Sequence, residues 1–340
     1  MRTHLLFASG MFALTVLVAP AEPQTVWFSP QSGGSLTVPD YMQLFRPDAP
    51  WATAASYVSV MGISQDFFWH RPDDELKEVL ADLKRRGIKL GIPISPLAGR
   101  PTPEAPECGV GVEGFSAPPQ ALAISRKIKR LGGTVDYFSM DEPFYFGHVY
   151  VGDPKHGGGG KHRGCQLSID DVAQDAAKRI KDIHSVFPDA KVGDGEPFAQ
   201  FDERQWQQWM DDLPRWFDAF QSATGERLAY FRVDLWWRSP WQQRMAQLKK
   251  LLDAKQIPLQ IIYDGPSWAQ SDRIWIDEAE QHFKDFEGVN RISPSGVVIQ
   301  SWTAKPSHAL PENDPGTLTN LVLRYANWKR ANGQTVSRVP

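Results

Sequence analysis

The 340-residue chain is 41% hydrophobic and 11% aromatic, which is enough for one large core or two ordinary ones. Its formal net charge of -3 argues against a nucleic-acid partner, because such partners are bound through a basic stripe. Most of the 13 tryptophans suit core packing, but at strand ends they also suit a sugar-binding cleft.

Residues 1–21 have the pattern of a secretory signal peptide. Arg2 supplies a positive start, residues 5–18 form an apolar run, and residues 19–21 (Ala-Pro-Ala) offer a cleavage site. We therefore expect a secreted or periplasmic protein whose mature chain starts near Glu22, with a retained N-terminal anchor as the alternative. No other stretch approaches the roughly 20 apolar residues of a membrane span. We expect no membrane contact after cleavage.

Eight short apolar segments alternate with segments of helical period along the rest of the chain. The predicted strands are 25–29, 57–63, 88–94, 135–140, 190–194, 228–233, 258–263 and 296–301. The main predicted helices are 73–86, 120–131, one that begins at about 168, 203–223, 241–254, 272–286 and 318–332. Strands that are apolar throughout are expected where both faces of a parallel sheet are covered.

Eight such units predict an α/β fold, a single (β/α)8 TIM barrel over residues 22–340 with enlarged loops after strands 3 and 4. A doubly wound open sheet is the alternative. It would need a glycine fingerprint after its first strand, where the chain has only Gln-Ser-Gly-Gly at 31–34. Cys108 and Cys165 lie in the two long loops, and export favours a disulfide between them. Two unpaired thiols are the other possibility.

Five consecutive predicted strands, the fourth to the eighth, end in an acid or a tryptophan. These residues are Asp141 and Glu142, Asp194 and Glu196, Asp234, Asp264, and Trp302, while Asp66 follows strand 2. One acid at a strand end means little, because aspartate often starts a turn. TIM barrels place catalysis at the C-terminal ends of their strands. Four successive strands with acids there predict a shared acidic cleft.

Several carboxylates beside aromatic side chains point to glycoside cleavage. One carboxylic acid protonates the leaving oxygen, and a second carboxylate attacks the anomeric carbon or activates water. The two groups need different pKa values, which burial and like-charge neighbours provide. The sequence has neither the His-x-His pair of metal-dependent barrel hydrolases nor the Gly-x-Ser-x-Gly elbow of serine esterases. We expect neither a metal nor a cofactor.

The Met-Asp-Glu-Pro segment at 140–143 resembles the Asn-Glu-Pro signature of the clan A (β/α)8-barrel retaining glycoside hydrolases. The resemblance implies that Glu142 is the acid/base and that the nucleophile ends strand 7. Two departures matter. Asp141 replaces the signature asparagine, whose amide contacts the substrate 2-hydroxyl, and strand 7 ends in Asp264 instead of glutamate.

Three acids are therefore candidates for the second catalytic carboxylate. Either Asp264 is the nucleophile, or the second group lies elsewhere and the enzyme inverts, with Glu196 and Asp234 as the other candidates. The residues predicted to contact the sugar are Asp66, Asp141, Asp194, Tyr145, Arg232, Trp236, Tyr263, Trp268 and Trp302. Trp302 resembles the strand-8 tryptophan that floors the sugar subsite in many such barrels. Each acid also has a structural interpretation, as a salt-bridge partner, helix N-cap or turn residue.

The sequence thus predicts a secreted glycoside hydrolase that cleaves a poly- or oligosaccharide by two-carboxylate acid/base catalysis. Its expected partner is a carbohydrate substrate. A non-catalytic carbohydrate-binding barrel is one alternative, and a polysaccharide lyase or transglycosylase on the same scaffold is another. The sugar, the linkage and the oligomeric state stay open at this stage.

Overall fold

The computed structural model describes residues 24–103, 106–117, 119–152, 163–199 and 202–336, and in it eight parallel strands close into a barrel. The strands are β1 (Thr25–Ser29), β2 (Val60–Gly62), β3 (Lys89–Ile94), β4 (Tyr137–Asp141), β5 (Lys191–Phe198), β6 (Phe231–Leu235), β7 (Leu259–Tyr263) and β8 (Gly296–Gln300). Each strand pairs with its neighbour in sequence, and β1 closes the barrel against β8 from Thr25↔Gly296 to Ser29↔Gln300. The predicted TIM barrel is confirmed. The predicted signal peptide lies outside the described residues.

Helices follow most of the strands and pack on the outside of the barrel. They are α1 (Ala52–Ala55), α2 (Gln65–His70), α3 (Asp73–Arg86), α4 (Gln120–Arg130), α5 (Ile169–His184), α6 (Glu203–Thr224), α7 (Trp241–Lys255), α8 (Asp272–Phe283) and α9 (Leu318–Ala331). In the described part of the chain, no helix has both the length and the apolarity of a membrane span.

Local chemistry explains where the helices begin and end. Helix α3 has three acids in its first turn and three bases in its last, which matches the helix dipole, and it ends at Gly87 with φ 67°. Helix α6 begins with a reciprocal capping box between Asp202 and Gln205. These signals lie within a few residues of the ends that they define, so the sequence predicted both helices closely.

The lower part of the barrel interior is filled by large side chains that need glycines opposite them. Trp27, Val60, Tyr230, Ile262 and Val298 form this core, with Tyr137 packed against it. A Cβ on Gly91 would lie 2.4 Å from the Trp27 ring, and one on Gly193 would lie 2.2 Å from the Tyr230 ring. Because these two glycines have no side chains, the two rings fill the lower interior of the barrel and form a closed floor. Any cavity must therefore lie above this floor.

The loop between β3 and α4 is tied over the mouth of the barrel. Cys108 and Cys165 form the predicted disulfide, which joins this loop to the one that follows β4. The Leu97↔Phe115 bridge fastens its second half. A Cβ on Gly114, where φ is +79°, would lie 3.2 Å from the carbonyl oxygen of Asp141. The loop therefore passes directly against the end of β4.

Strand β5 is longer than the sequence predicted. It was expected to end at Asp194, but it runs on through Pro197 to Phe198. Strand β4 ends at Asp141, which pairs with Gly195, so beyond that point β5 has a strand partner on one side only. A proline is tolerated where no neighbouring strand needs its N–H. Glu196 consequently lies within a strand, so its alternative interpretation as a turn residue is wrong.

Candidate active site

The C-terminal mouth of the barrel opens into a cavity of about 450 Å³. Its lining includes the acids Asp141, Glu142 and Asp234, together with Arg232 and Trp302. Successive strand residues point to opposite faces. Arg232 and Asp234 are two residues apart on β6, so they share the inner face, and Ser139 and Asp141 do the same on β4. The predicted acidic cleft is therefore built mainly by strands β4 and β6.

Glu142 occupies the turn directly after β4 and has a strained backbone. Its φ of 51° lies in the left-handed region, which non-glycine residues seldom adopt and which is concentrated at functional sites. Two hydrogen bonds hold the turn: the Glu142 amide donates to the Gly195 carbonyl at 2.9 Å, and its carbonyl accepts from the Phe146 amide at 3.0 Å. Its side chain is half-buried in the cavity wall.

Glu196 supports this turn from behind. Its Oε1 accepts the Phe144 backbone N–H at 2.7 Å, and its Oε2 accepts that of Tyr145 at 3.0 Å. The side chain is fully buried, and although it adjoins the cavity both carboxylate oxygens are already occupied. Glu196 is thus held as a brace for the residues that follow Glu142, which is a different role from the catalytic one that the sequence suggested.

Burial and mutual repulsion raise the pKa values of the cavity acids. Burial first, then the charges of Asp234 and Asp141, raise the pKa of Glu142 well above its ordinary value of 4.5. Burial and the nearby Glu113 raise the pKa of Asp234 to about 7. For Asp141 the same two causes outweigh the attraction of Arg232 and raise the pKa to about 6. Close carboxyls resist ionising together, so the pKa values of this cluster belong to the group and not to single residues.

Arg232 places a positive charge at the bottom of the cavity, between the aromatic floor and the acids. Its guanidinium lies 4.3 Å from the centre of the Trp27 ring and 5.0 Å from that of Tyr230. Its Nε and Nη2 donate to Oε1 of Gln260 at 3.0 and 2.9 Å. These contacts fix a buried cation where it can balance negative charge on Asp141.

A second cavity of about 620 Å³ adjoins the first on the side of β6, β7 and α8. Asp264 lies in its wall, where its Oδ1 accepts the Trp237 indole N–H at 2.9 Å. Burial and the charge of Asp234 raise the pKa of Asp264 well above its ordinary value of 3.8. Trp236, Trp268 and Trp302 also line this cavity, as a sugar-binding role requires.

Four residues predicted to contact substrate lie away from both cavities. Asp194 points outward from β5, where its Oδ2 accepts the Trp216 indole N–H of α6 at 2.8 Å. Tyr263 points outward from β7, and its hydroxyl donates to Glu287 at 2.8 Å. Successive strand residues point to opposite faces, and the residues next to Asp194 and Tyr263 face the barrel interior, so these two face outward. They line neither cavity, and the prediction that they contact substrate is wrong.

The other two displaced residues follow strands but do not reach the cavity walls. Asp66 lies on α2, where its carboxylate accepts the Gly34 amide at 2.7 Å and pairs with His70 at 3.1 Å. It borders a separate small pocket at the rim. Tyr145 lies in the π-helical turn Tyr145–Val149 and packs on Phe146 and Tyr150.

Sequence reasoning missed one acid of the site, Glu113. It belongs to the irregular loop after β3, and the disulfide and the Leu97↔Phe115 bridge bring that loop to the cavity. Its charge raises the pKa of Asp141, Glu142 and Asp234. The one local signal was its place beside Gly114, whose left-handed φ permits the close approach. Within the described ranges, no three His, Cys, Asp or Glu side chains are arranged to hold a metal ion.

Known proteins resemble this chain in structure and not in sequence. No protein-family model matches the sequence, and no curated protein matches it. The catalytic domain of β-amylase from Paenibacillus polymyxa superposes with a TM-score of 0.54 at 10% identity, covering 93% of this chain and 100% of that one. Xylanase XynB from Paenibacillus barcinonensis gives 0.48 at 10% identity, covering 94% and 91%.

A synthase is also among the similar structures. The truncated 3-deoxy-D-arabino-heptulosonate 7-phosphate synthase from Thermotoga maritima gives a TM-score of 0.44 at 8% identity, covering 92% of this chain and 88% of that one. Glycoside hydrolases are thus among the structures that are similar to this barrel. At such identities the likeness establishes the fold, and function has to be argued from the site.

Proposed function

We propose that the protein is an exported glycoside hydrolase that cleaves a poly- or oligosaccharide by two-carboxylate acid/base catalysis. The observation that carries the proposal is the pairing of Glu142 and Asp234 in one water-accessible cavity at the barrel mouth. Both pKa values are raised, and each carboxyl repels the charge of its neighbours. Such an arrangement supports a neutral acid beside an ionised carboxylate near neutral pH.

In this mechanism Glu142 donates a proton to the glycosidic oxygen as the bond to the leaving group breaks. Asp234, ionised above a pKa of about 7, either attacks the anomeric carbon or removes a proton from the attacking water. We favour Asp234 over Asp264, because Asp234 lines the same cavity as Glu142, whereas Asp264 lies in the wall of the second cavity and accepts the Trp237 N–H. Arg232 and the protonated neighbours limit the negative charge that the cavity must hold.

The first test is a hydrolysis screen of the mature chain against a panel of poly- and oligosaccharides, with Glu142→Gln measured in parallel. We expect wild-type protein to release sugar and the variant to lose about 10²- to 10⁴-fold in rate while it still binds the glycan. Proton NMR of the first product then distinguishes retention from inversion.

Other results of the screen would contradict the proposal. Full activity of Glu142→Gln would remove Glu142 from the role of acid. Tight binding of a glycan without turnover would favour a binding barrel. An unsaturated sugar product would indicate a lyase, and new linkages a transglycosylase.

We further propose that the protein is exported. The apolar run at residues 5–18 followed by Ala-Pro-Ala at 19–21 supports this, and so does the Cys108–Cys165 disulfide, because disulfides persist in oxidising compartments. Mass spectrometry of the protein from its native cell fractions should find a mature chain that starts near Glu22 outside the cytoplasm. An uncleaved chain in the cytoplasmic fraction would contradict export.

A further inference from the structure

The second cavity, beside the proposed catalytic one, gathers exposed tryptophans. Four of the exposed large hydrophobic side chains in the described residues are tryptophans: Trp69, Trp236, Trp268 and Trp302, which expose 49%, 55%, 48% and 37% of their surface. The last three all line the second cavity. Large aromatic side chains are costly to leave in water, so their convergence on one cavity marks a binding surface.

The polar groups of this cavity complement the flat rings. Glu278, Gln281 and Asp285 project into it from α8 and its C-terminal extension, and Arg238 comes from the loop after β6. Carboxylate, amide and guanidinium groups bond hydroxyl groups, while indole faces pack against apolar C–H surfaces. A pyranose ring presents both kinds of surface at once. Its C–H face suits the indoles, and its hydroxyls suit the polar rim.

Contacts within the protein hold part of the cavity wall in place. Trp237 stacks on His282 with ring centres 4.1 Å apart and planes 7° apart, and its indole N–H is fixed on Asp264. His282 Nδ1 in turn bonds the Asp264 carbonyl at 2.8 Å. The Arg238 guanidinium lies 4.8 Å from the centre of the Trp268 ring. A preformed aromatic wall binds a ligand without the entropic cost of being ordered first.

The two cavities are neighbours that share part of their walls. Asp234 and Trp302 line both of them. Each volume falls within the range of about 300–1,000 Å³ that is usual for a complete small-molecule site. A single sugar at Glu142 would leave the second cavity unused, whereas a chain that enters it passes Asp234 and Trp302 on the way.

We propose that this second cavity is a saccharide-binding subsite, with Trp236 and Trp268 as its stacking surfaces. The protein then acts on oligosaccharide chains in preference to single-sugar glycosides, an inference that rests on the proposed function for the identity of the ligand class. The chain crosses from the Glu142 cavity into the subsite at Trp302, so affinity increases with chain length until the subsite is filled.

The test separates binding from turnover. In the Glu142→Gln background, isothermal titration calorimetry with xylo-, malto- and cello-oligosaccharides, from disaccharide to hexasaccharide, measures Kd against length. The Trp236→Ala/Trp268→Ala double variant should weaken hexasaccharide binding by about tenfold, the size of one good aromatic contact, and disaccharide binding much less. Trp69→Ala is the matched control, since Trp69 is equally exposed but lines neither cavity. Trp268→Phe, which keeps a flat ring, should retain most of the affinity even if the double variant folds poorly.

Each outcome decides the inference. Length-dependent affinity that is lost in the double variant and kept in Trp69→Ala supports the subsite. Equal losses at all lengths, or a loss of the same size in Trp69→Ala, overturn it. If chains bind through the tryptophans but the wild type does not hydrolyse them, the subsite proposal stands and the proposed hydrolase function is wrong. If the wild type hydrolyses chains and the tryptophan variants do so equally well, the hydrolase function stands and the subsite proposal is wrong. If no glycan is bound or hydrolysed, both proposals are wrong.

Discussion

Strands β5 and β6 both carry an aspartate, but the two acids lie on opposite sides of the barrel wall. Asp234 on β6 faces the cavity, whereas Asp194 on β5 faces α6 and accepts the Trp216 N–H. Burial raises the pKa of both, to about 7 for Asp234 and about 8 for Asp194. A raised pKa therefore does not distinguish a catalytic acid from a structural one in this protein. What distinguishes Asp234 from Asp194 is access to the cavity.

The glutamates repeat the contrast. Glu142 is half-buried, strained and open to the cavity, while Glu196 is fully buried with both oxygens bonded to backbone N–H groups. The buried glutamate supports the accessible one, because Glu196 holds the residues that immediately follow Glu142. Acids at the end of one barrel thus divide into those that are open to the cavity and those that hold the first group in place.

The largest expected effect compares Asp234→Asn with Asp194→Asn. Asp234→Asn should lower kcat by about 10²- to 10⁴-fold, because it removes the carboxylate that we propose attacks the anomeric carbon or activates water. Asp194→Asn should leave kcat almost unchanged, because Asp194 lines neither cavity. Steady-state kinetics on a glycan that the wild type hydrolyses would measure both. Comparable losses in the two variants would refute the distinction between the two faces.

A smaller effect is expected on stability as a function of pH. The pKa of Asp194 is raised from 3.8 to about 8 in the folded protein, so between these values the folded state keeps a proton that the unfolded state has lost. The free energy of unfolding then falls as pH rises through this window. Asn resembles the neutral acid, so Asp194→Asn should be more stable than wild type by on the order of 1–3 kcal/mol at about pH 8 and no more stable at about pH 4.

Urea unfolding at the two pH values would measure this difference. The control is Asp189→Asn, since Asp189 is exposed in the turn before β5. Parallel stability curves for Asp194→Asn and wild type would show that the outward acid is ionised in the folded state.

The smallest effect concerns the loop acid. Glu113→Gln removes a charge that raises the pKa of Asp234 and, more weakly, that of Glu142. The proposed mechanism needs Asp234 ionised and Glu142 protonated, so both limbs of the kcat/KM profile should move to lower pH, by about one unit or less. Glu107→Gln, from the same loop but outside both cavities, is the control. An unchanged profile in Glu113→Gln would mean that this loop does not act on the cavity acids.

The sequence predicted the elements well where the signals are local. Strand β1 and helix α3 were predicted at their observed ends, and strand β8 was one residue too long, because apolar runs and capping residues lie next to the boundaries that they set. It predicted β5 poorly. The strand continues through Pro197 only because β6 pairs with it there, and the sequence of β5 itself does not indicate that pairing.

The sequence by itself determined the barrel, the placing of Glu142 after the fourth strand and the pairing partners of the disulfide, since each follows from short segments and their order. Only the tertiary structure decided which acids face the cavity. That choice depends on strand register, and a shift of one residue moves a side chain to the other face. Tertiary structure also brought Glu113 to the site and joined the tryptophans that follow β6, β7 and β8 into one cavity, because these contacts link residues that are far apart in the chain.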